Sequence, residues 1–267
     1  MNYVIKIGGG KNVAVNNILS DVANIVAKNK RVVIVHGASH EIHCLGQRLG
    51  IRDKKITSPS GMVSRYTDPE VLEVALMAFD RVNRSIVSKL FELGVCAAGF
   101  AAMDGKTTLG KRKKAIRSVV DNRVSIIRNE YSASIKKVDT NLIETILNKG
   151  ITPVISPPAW DAEDGPVNVD ADRLAAAIGA GLAPSRLCLM TNVDGLFRDF
   201  NNPSSLIKTV DRCEIDNAMA CADGRMKMKV LAAKEALEGG VHDVVISSGA
   251  CDIPIKSALN GSGTVFI

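Results

Sequence analysis

Three short loops rich in small residues are the first candidates for chemistry. Each follows a strand-like run: Gly8-Gly9-Gly10, His36-Gly37-Ala38-Ser39 and Asn192-Val193-Asp194-Gly195. Glycine lets the main chain approach a ligand, and free N–H groups ahead of a helix attract phosphate oxygens. A tight turn is the alternative for any one loop. Two such loops beside Lys6 favour an anion site, because ligands of open α/β sheets bind at the carboxyl edge.

The standard nucleotide and metal motifs do not account for these loops. No Gly-x-x-x-x-Gly-Lys-Ser/Thr sequence occurs, and no Gly-x-Gly-x-x-Gly fingerprint opens the first helix. His36, His40 and His43 are close in sequence, but no carboxylate or cysteine pattern completes a metal site. We therefore expect structural roles for these histidines and no metal held by protein ligands.

A basic segment is the second candidate. Lys111-Arg112-Lys113-Lys114 is followed by Arg117, Arg123 and Arg128. A charge run is often only a solvated face. The net charge of +6 favours an anionic partner, which is a nucleotide, a nucleic acid or an acidic protein. Nucleic acid is the weakest of these, because one Trp and three Tyr provide no stacking platform among the basic residues.

Strands and helices alternate along the chain. Strand-like runs occupy residues 4–7, 31–35, 95–100, 152–156, 187–190, 243–247 and 263–267. Helical periodicity covers 14–30, 40–49, 70–93, 139–149, 171–182 and 227–239. This order predicts a mainly parallel sheet covered by helices on both faces. Residues 106–138 alternate short apolar runs with basic residues, which indicates β-hairpins outside that sheet.

Composition adds three expectations. With 267 residues, 46% hydrophobic and 4% aromatic, the chain can build a large core from aliphatic side chains. The six cysteines are scattered without any Cys-x-x-Cys pair, and we expect reduced thiols in the core. Neither a signal sequence nor an apolar run of membrane-spanning length is found, so we expect a soluble cytoplasmic protein.

Five motifs, in this order, resemble those of the amino acid kinase family. They are Lys6 to Gly10, His36-Gly37-Ala38, Asn168-Val169-Asp170-Ala171-Asp172, Met190 to Leu196, and Gly224 to Lys229. The resemblance covers essentially the whole chain. It implies a three-layer α/β/α sandwich with a mainly parallel central sheet, as a single domain over residues 1–267. An acceptor-binding lobe would span about 1–165 and an ATP-binding lobe about 166–267.

The resemblance also implies roles for particular residues. Lys6 and Lys229 would hold the transferring phosphoryl group from opposite sides, with Asp172 between them; Lys227 is an alternative to Lys229, and an ordinary first-turn acid is the alternative for Asp172. The residues that would bind phosphate are Gly8, Gly9, Gly10, Gly37 and Ala38. Those that would bind the nucleotide are Thr191, Asn192, Asp194, Gly195 and Lys227.

Acceptor and partner residues follow from the same resemblance. Arg65 and Asn168 would hold the α-carboxylate of the acceptor, although a surface salt bridge is the alternative for Arg65. The residues that would dock an acidic carrier protein are Lys111, Arg112, Lys113, Lys114 and Arg117. ATP would arrive with Mg²⁺, and the relatives suggest a homodimer built through N-terminal helices. Neither nucleic acid nor a membrane is expected as a partner.

The chain is most similar to the acetylglutamate kinase branch, and especially to kinases whose acceptor is attached to an amino-group carrier protein. The expected reaction is phosphorylation of the side-chain carboxylate of carrier-linked α-aminoadipate, glutamate or both. N-acetylglutamate kinase and a non-catalytic amino-acid or nucleotide sensor are the alternatives. The chain departs from the family pattern at Ala38 in place of a glycine, at Gly99-Phe100-Ala101-Ala102, and at Asp170 in place of Asn.

Overall fold

The computed structural model describes residues 2–120, 123–183 and 185–267 of the chain. Its strands are β1 (Asn2–Ile7), β2 (Arg31–His36), β3 (Lys55–Thr57), β4 (Val63–Arg65), β5 (Ala97–Ala101), β6 (Thr108–Arg112), β7 (Ile116–Val120), β8 (Arg123–Ile127), β9 (Ala133–Val138), β10 (Thr152–Ser156), β11 (Ala159–Asp161), β12 (Gly165–Val167), β13 (Ser185–Thr191), β14 (Thr209–Val210), β15 (Asp243–Ser248) and β16 (Thr264–Phe266). Its α-helices are α1 (Val15–Val26), α2 (Ser39–Arg48), α3 (Pro69–Glu92), α4 (Asn141–Asn148), α5 (Ala171–Gly181), α6 (Ile215–Ala220), α7 (Arg225–Glu238) and α8 (Pro254–Leu259).

One large sheet runs through the centre of the molecule. Its strand order is β14-β16-β15-β13-β1-β2-β10-β5. Neighbouring strands are parallel except for β15 and β16, which pair antiparallel. The prediction of a mainly parallel α/β sheet is therefore confirmed.

Helices cover both faces of this sheet. Because successive side chains of a strand point to opposite faces, Val4 of β1 packs on the side of α5 and α7, whereas Ile5 and Ile7 pack on the side of α1 and α3. Each face is closed by aliphatic side chains, and the two clusters are the core of the fold. Lys6 shares the face of Val4, so the register of β1 points this lysine towards α5 and α7.

Segment 106–138 lies outside the large sheet, as predicted. Strands β6 and β9 join β11 and β12 in a four-stranded sheet, and β7 pairs with β8 as a separate hairpin. The β3–β4 hairpin, the β11–β12 hairpin, α6 and α8 were not predicted. Strands of three residues and helices of six are too short to show a hydrophobic period in the sequence.

The expectation that the cysteines lie in the core is wrong for most of them. Cys188 of β13 is buried, and burial raises the pKa of its thiol to about 12. Cys44 is partly exposed, and Cys96, Cys213, Cys221 and Cys251 are exposed. All six are free thiols. Several of them follow the end of a helix or lie in a loop, where the hydrophobic pattern of the sequence carries no information about burial.

Gly99 of β5, one of the departures from the family pattern, lies directly against α3. A Cβ atom at this position would be 1.8 Å from Oδ1 of Asn83 and 2.9 Å from Cγ2 of Val87. Asn83 is buried, and its Nδ2 donates a hydrogen bond to the carbonyl of Val154 at 2.9 Å. The close approach of β5 to α3 therefore requires glycine at this position.

Candidate functional site

A carboxylate lies between two ammonium groups where β1 meets α5 and α7. Lys6 Nζ is 2.8 Å from Asp172 Oδ1, and Lys229 Nζ donates to Asp172 Oδ2 at 2.8 Å. The three residues are 5%, 5% and 8% exposed for Lys6, Asp172 and Lys229. Two positive charges thus share one negative charge away from bulk water. These three side chains together carry one net positive charge, which favours an anionic ligand.

Local structure fixes the carboxylate within this cluster. Asp170 is the N-cap of α5, and its Oδ1 accepts hydrogen bonds from the amides of Asp172 and Arg173, each at 3.0 Å. Arg173 then forms two hydrogen bonds with Glu235 of α7, at 2.8 and 2.6 Å. These contacts hold the first turn of α5 against the helix that carries Lys229.

The electrostatics of the cluster keep Asp172 ionised. Burial by itself would raise the pKa of Asp172, but the ammonium groups of Lys229 and Lys6 hold it well below its usual range. Burial lowers the pKa of Lys6, and Asp172 offsets part of that shift. Burial and the neighbouring Asp172 raise the pKa of Asp170.

Two of the small-residue loops, the first and the second, are joined by hydrogen bonds beside this cluster. The carbonyl of Gly9 accepts hydrogen bonds from the amide of His40 at 2.7 Å and from Ser39 Oγ at 2.9 Å. A Cβ atom at Gly9 would lie 2.5 Å from the amide nitrogen of Ala38, so only glycine fits. The amides of Gly9, Gly10 and Ala38 donate to no protein acceptor in the described part of the chain. They remain available to an anion.

His36, the first residue of the second loop, is a structural histidine. It is fully buried, and Asn83 Nδ2 lies 3.2 Å from its Nε2. Burial lowers the pKa of His36 to about 4, so the ring is neutral at neutral pH. His40 and His43 lie on α2. Among the described residues, no group of three or more His, Cys, Asp or Glu side chains forms a potential metal site.

The predicted nucleotide residues occupy different environments. Thr191 is buried at the end of β13, and Asn192 and Asp194 are exposed in the loop that follows. Gly195 is packed against β16, since a Cβ atom there would lie 2.6 Å from Thr264 Oγ1. Lys227 Nζ would lie 3.6 Å from a Cβ atom built at Gly61. It therefore points to the turn between β3 and β4, whereas Lys229 contacts Asp172.

The two predicted acceptor residues lie close together and next to the second loop. Arg65 Nη1 is 2.5 Å from Asp53 Oδ1, and Arg65 Nη2 donates to the carbonyl of Ser39 at 3.0 Å. Asn168 Nδ2 donates to Thr67 Oγ1 at 3.3 Å, and that hydroxyl donates to the carbonyl of Arg65 at 3.4 Å. The Arg65 side chain is 15% exposed, so its pair with Asp53 is not a freely solvated surface contact.

Asp53 and Glu130 are site residues that the sequence analysis missed. Asp53 orients Arg65, as described above. Glu130 is fully buried, and its carboxylate accepts hydrogen bonds from the amides of Thr67 at 3.2 Å and Ser132 at 2.6 Å. Neither residue had a signal in the sequence: Asp53 stands in a charged run that looks like surface, and a buried glutamate in a turn follows no pattern.

The five predicted docking residues fall into three groups. Arg112 is an internal residue: it donates to Asp164 at 2.8 Å, stacks 3.7 Å above the Tyr131 ring and is 12% exposed. Lys111 and Lys114 each lie 2.7 Å from one carboxylate oxygen of Glu163. Lys113 and Arg117 are exposed, with no ion-pair partner among residues 2–120, 123–183 and 185–267.

The chain matches known proteins over nearly its full length. The model of the family described as "Amino acid kinase family" matches residues 1–248. A protein of Deinococcus radiodurans named [LysW]-aminoadipate kinase is 38% identical over 98% of this chain and 90% of its own. A protein of Saccharolobus islandicus named [LysW]-aminoadipate/[LysW]-glutamate kinase is 37% identical over 99% of this chain and 98% of its own.

A solved structure shares the fold. It is N-acetylglutamate synthase from Neisseria gonorrhoeae, with a TM-score of 0.79 and 24% identity over 99% of this chain and 59% of that chain. Within the described residues, no helix has the length and apolar character that crossing a membrane requires.

Asp172→Asn should destabilise the protein in a pH-dependent way. Two buried ammonium groups lose their counterion, so the free energy of unfolding at pH 7 should fall by roughly 3 kcal/mol. Because the folded pKa of Asp172 lies below the unfolded value of about 3.9, the carboxylate contributes fully above that pH and less as the pH falls further.

Urea denaturation of both proteins between about pH 3 and 8 measures this effect. The stability difference should be constant near neutral pH and should narrow in the acid range. A difference that stays constant down to the lowest pH would contradict the assignment of Asp172 as the ionised centre of the cluster.

Proposed function

Because the chain belongs to the amino acid kinase family and is therefore a phosphotransferase, we propose that it uses ATP to phosphorylate a side-chain carboxylate on a carrier-linked acceptor. The acceptor is α-aminoadipate, glutamate or both, and the product is an acyl phosphate in lysine or arginine biosynthesis. The observation that carries this proposal is the convergence of Lys6 and Lys229 on Asp172 in a chain so similar to LysW-dependent kinases.

The two lysines supply the catalytic electrostatics. In phosphoryl transfer the negative charge spreads over the equatorial and bridging oxygens, so catalysis consists mostly of positioning and charge stabilisation. Lys6 and Lys229 approach this group from β1 and α7, and Asp172 keeps both ammonium groups oriented. The acceptor carboxylate is already ionised at neutral pH, and the reaction needs no general base.

The loops and the C-terminal lobe receive ATP. The amides of Gly9, Gly10 and Ala38 are placed to donate to phosphate oxygens, with Gly8 and Gly37 shaping the two turns. We assign the nucleotide to the lobe from about residue 166 to 267 and the acceptor to the lobe before it. Mg²⁺ would arrive with ATP, bound mainly through phosphates and water, and would neutralise part of the phosphate charge.

Arg65 and Asn168 hold the acceptor. The guanidinium of Arg65 retains donors beyond those used by Asp53 and Ser39, and a planar fork suits an α-carboxylate. Its contact with Ser39 ties the acceptor segment to the phosphate loop. Asn168, the second acceptor residue, donates a hydrogen bond to Thr67 and therefore lies close to Arg65.

An acidic carrier protein is the proposed partner. Both relatives are named for a LysW-linked acceptor, and the basic segment gives this chain a surface of the matching charge. Of the five docking residues, Lys113 and Arg117 are exposed and ready for such contacts, Lys111 and Lys114 are shared with Glu163, and Arg112 serves the fold.

We also propose a cytoplasmic homodimer. Met77 and Phe91 of α3 expose 48% and 56% of their surface, and this long helix would offer both apolar side chains to a second copy. The cytoplasmic location is inferred from the proposed biosynthetic role.

Supply of the acceptor decides between the candidate functions. With ATP, Mg²⁺ and hydroxylamine, the enzyme should form hydroxamate from aminoadipate or glutamate linked to the carrier protein and not from the free amino acids. Equal turnover of free N-acetylglutamate would contradict the proposal in favour of an N-acetylglutamate kinase. Absence of turnover with every acceptor would favour a non-catalytic sensor, although a sensor has no need of two converging lysines.

Replacing either lysine should abolish most of the activity. Lys6→Met or Lys229→Met removes one cation from the transferring group, which should lower kcat by about a hundredfold, or roughly 3 kcal/mol. Lys234→Met is the matched control, because Lys234 lies on α7 and its one ion pair within the described residues is with the exposed Asp216. Unchanged turnover in the Lys6 or Lys229 variant would rule out the proposed roles.

Releasing Arg65 should weaken acceptor binding. Asp53→Asn removes the charge that orients the guanidinium, so the apparent KM for the loaded carrier should rise by about tenfold while kcat changes little. His43→Gln is the control, because the one hydrogen bond of the His43 side chain in the described residues is to the other oxygen of Asp53, at 3.2 Å. A fall in kcat at constant KM would mean that Asp53 acts on the reacting centre.

A further inference from the structure

One carboxylate occupies two lysines of the proposed docking surface. The oxygens Oε1 and Oε2 of Glu163 lie 2.7 Å from Lys111 Nζ and Lys114 Nζ respectively. Glu163 thus binds two ammonium groups at once, with a separate oxygen for each. Lys111 Nζ also lies 3.8 Å from Oδ1 of the buried Asp161, so Glu163 is its nearer partner. It stands in the turn between β11 and β12, about fifty residues beyond the lysines that it neutralises.

The backbone of that turn is fixed independently of Glu163. Asp161 is buried, and its Oδ2 accepts a hydrogen bond from the amide of Arg112 at 2.6 Å. The other oxygen of Asp161 accepts from the amide of Glu163 at 2.9 Å, and Asp164 binds the Arg112 guanidinium at 2.8 Å. The turn is therefore pinned to β6 by Asp161 and Asp164, and the Glu163 side chain can leave the lysines without unfolding it.

The contacts of Glu163 itself lie at the surface. The side chains of Glu163, Lys111 and Lys114 are 58%, 41% and 65% exposed. Ion pairs of this exposure are weak and are screened by salt. A second carboxylate that approaches from outside can therefore replace Glu163 on either lysine.

The occupied lysines restrict what the surface will bind. Lys113 and Arg117 are exposed without a charged partner in the described chain, whereas Lys111 and Lys114 must first give up Glu163. A protein with a few scattered carboxylates forms ion pairs only with Lys113 and Arg117. A densely acidic protein forms ion pairs with all four basic side chains. The surface therefore binds acidic partners with different affinities rather than attracting all of them equally.

We propose that Glu163 is a specificity-determining residue of the docking surface: it occupies Lys111 and Lys114 in place of the partner's carboxylates and yields both lysines only to a strongly acidic protein. This inference rests on the proposed function, since the partner is the acidic carrier protein. It adds a residue whose removal should strengthen the complex, whereas removal of a basic docking residue should weaken it.

The test compares Glu163→Gln with Glu214→Gln, which removes the same charge from an exposed position that has no ion pair in the described residues. Calorimetric titration with unloaded carrier measures Kd, and the hydroxamate assay with loaded carrier measures KM and kcat. For Glu163→Gln, Kd and KM for the carrier should fall roughly three- to tenfold, while kcat and the KM for ATP stay unchanged. Glu214→Gln should leave all four values unchanged.

Three further outcomes distinguish the explanations. Adding Lys111→Gln and Lys114→Gln to the Glu163 variant should remove the gain, because no freed lysine remains. If the wild-type protein depends on the carrier but Glu163→Gln binds it equally or more weakly, this inference is overturned and the proposed function stands. If the wild-type protein neither binds the carrier nor turns over its loaded form, the proposed function fails and this inference fails with it.

Discussion

Three charged side chains from distant parts of the sequence meet on one face of the central sheet, and the arrangement of the site depends on their contact. Lys6 comes from β1, Asp172 from the first turn of α5 and Lys229 from α7. Two ammonium groups could not be buried this close without the carboxylate between them. Asp172 therefore allows a concentrated positive charge to exist where we propose that the phosphoryl group is transferred, and the N-cap at Asp170 and the Arg173–Glu235 pair hold it there.

Hydrogen bonds link this cluster to the regions on either side. Gly9 follows the strand that carries Lys6, and its carbonyl accepts hydrogen bonds from Ser39 and His40 at the start of α2. Ser39 in turn accepts a hydrogen bond from Arg65, the residue assigned to the acceptor. The proposed sites for the phosphate donor, the transferring group and the acceptor are thus connected by a short series of contacts. A small displacement of one of these sites would therefore shift the other two. This matters because in-line transfer depends on the mutual positions of the reacting atoms.

The sheet follows from local periodicity in the sequence, whereas the charged cluster was expected only from the resemblance to the amino acid kinase family. Apolar strands alternating with amphipathic helices predicted the parallel sheet, and the motifs of the family pointed to Lys6, Asp172 and Lys229 before the structure brought them together. The partners of the basic segment were beyond such reasoning, since Glu163 meets Lys111 and Lys114 only through the pairing of β6 with β11. Asp53 was missed for the same reason: its role depends on an ion pair between the loop that precedes β3 and Arg65 at the end of β4, which no period in the sequence encodes.

The most direct test of the central claim is a crystal structure with ADP, Mg²⁺, aluminium fluoride and a carboxylate acceptor, which together imitate the transferring phosphoryl group. We expect Lys6 Nζ and Lys229 Nζ both to lie within about 3 Å of the fluoride or bridging oxygen atoms, with Asp172 between the two amines. A complex in which the analogue binds elsewhere, or in which either amine faces away from it, would contradict the account.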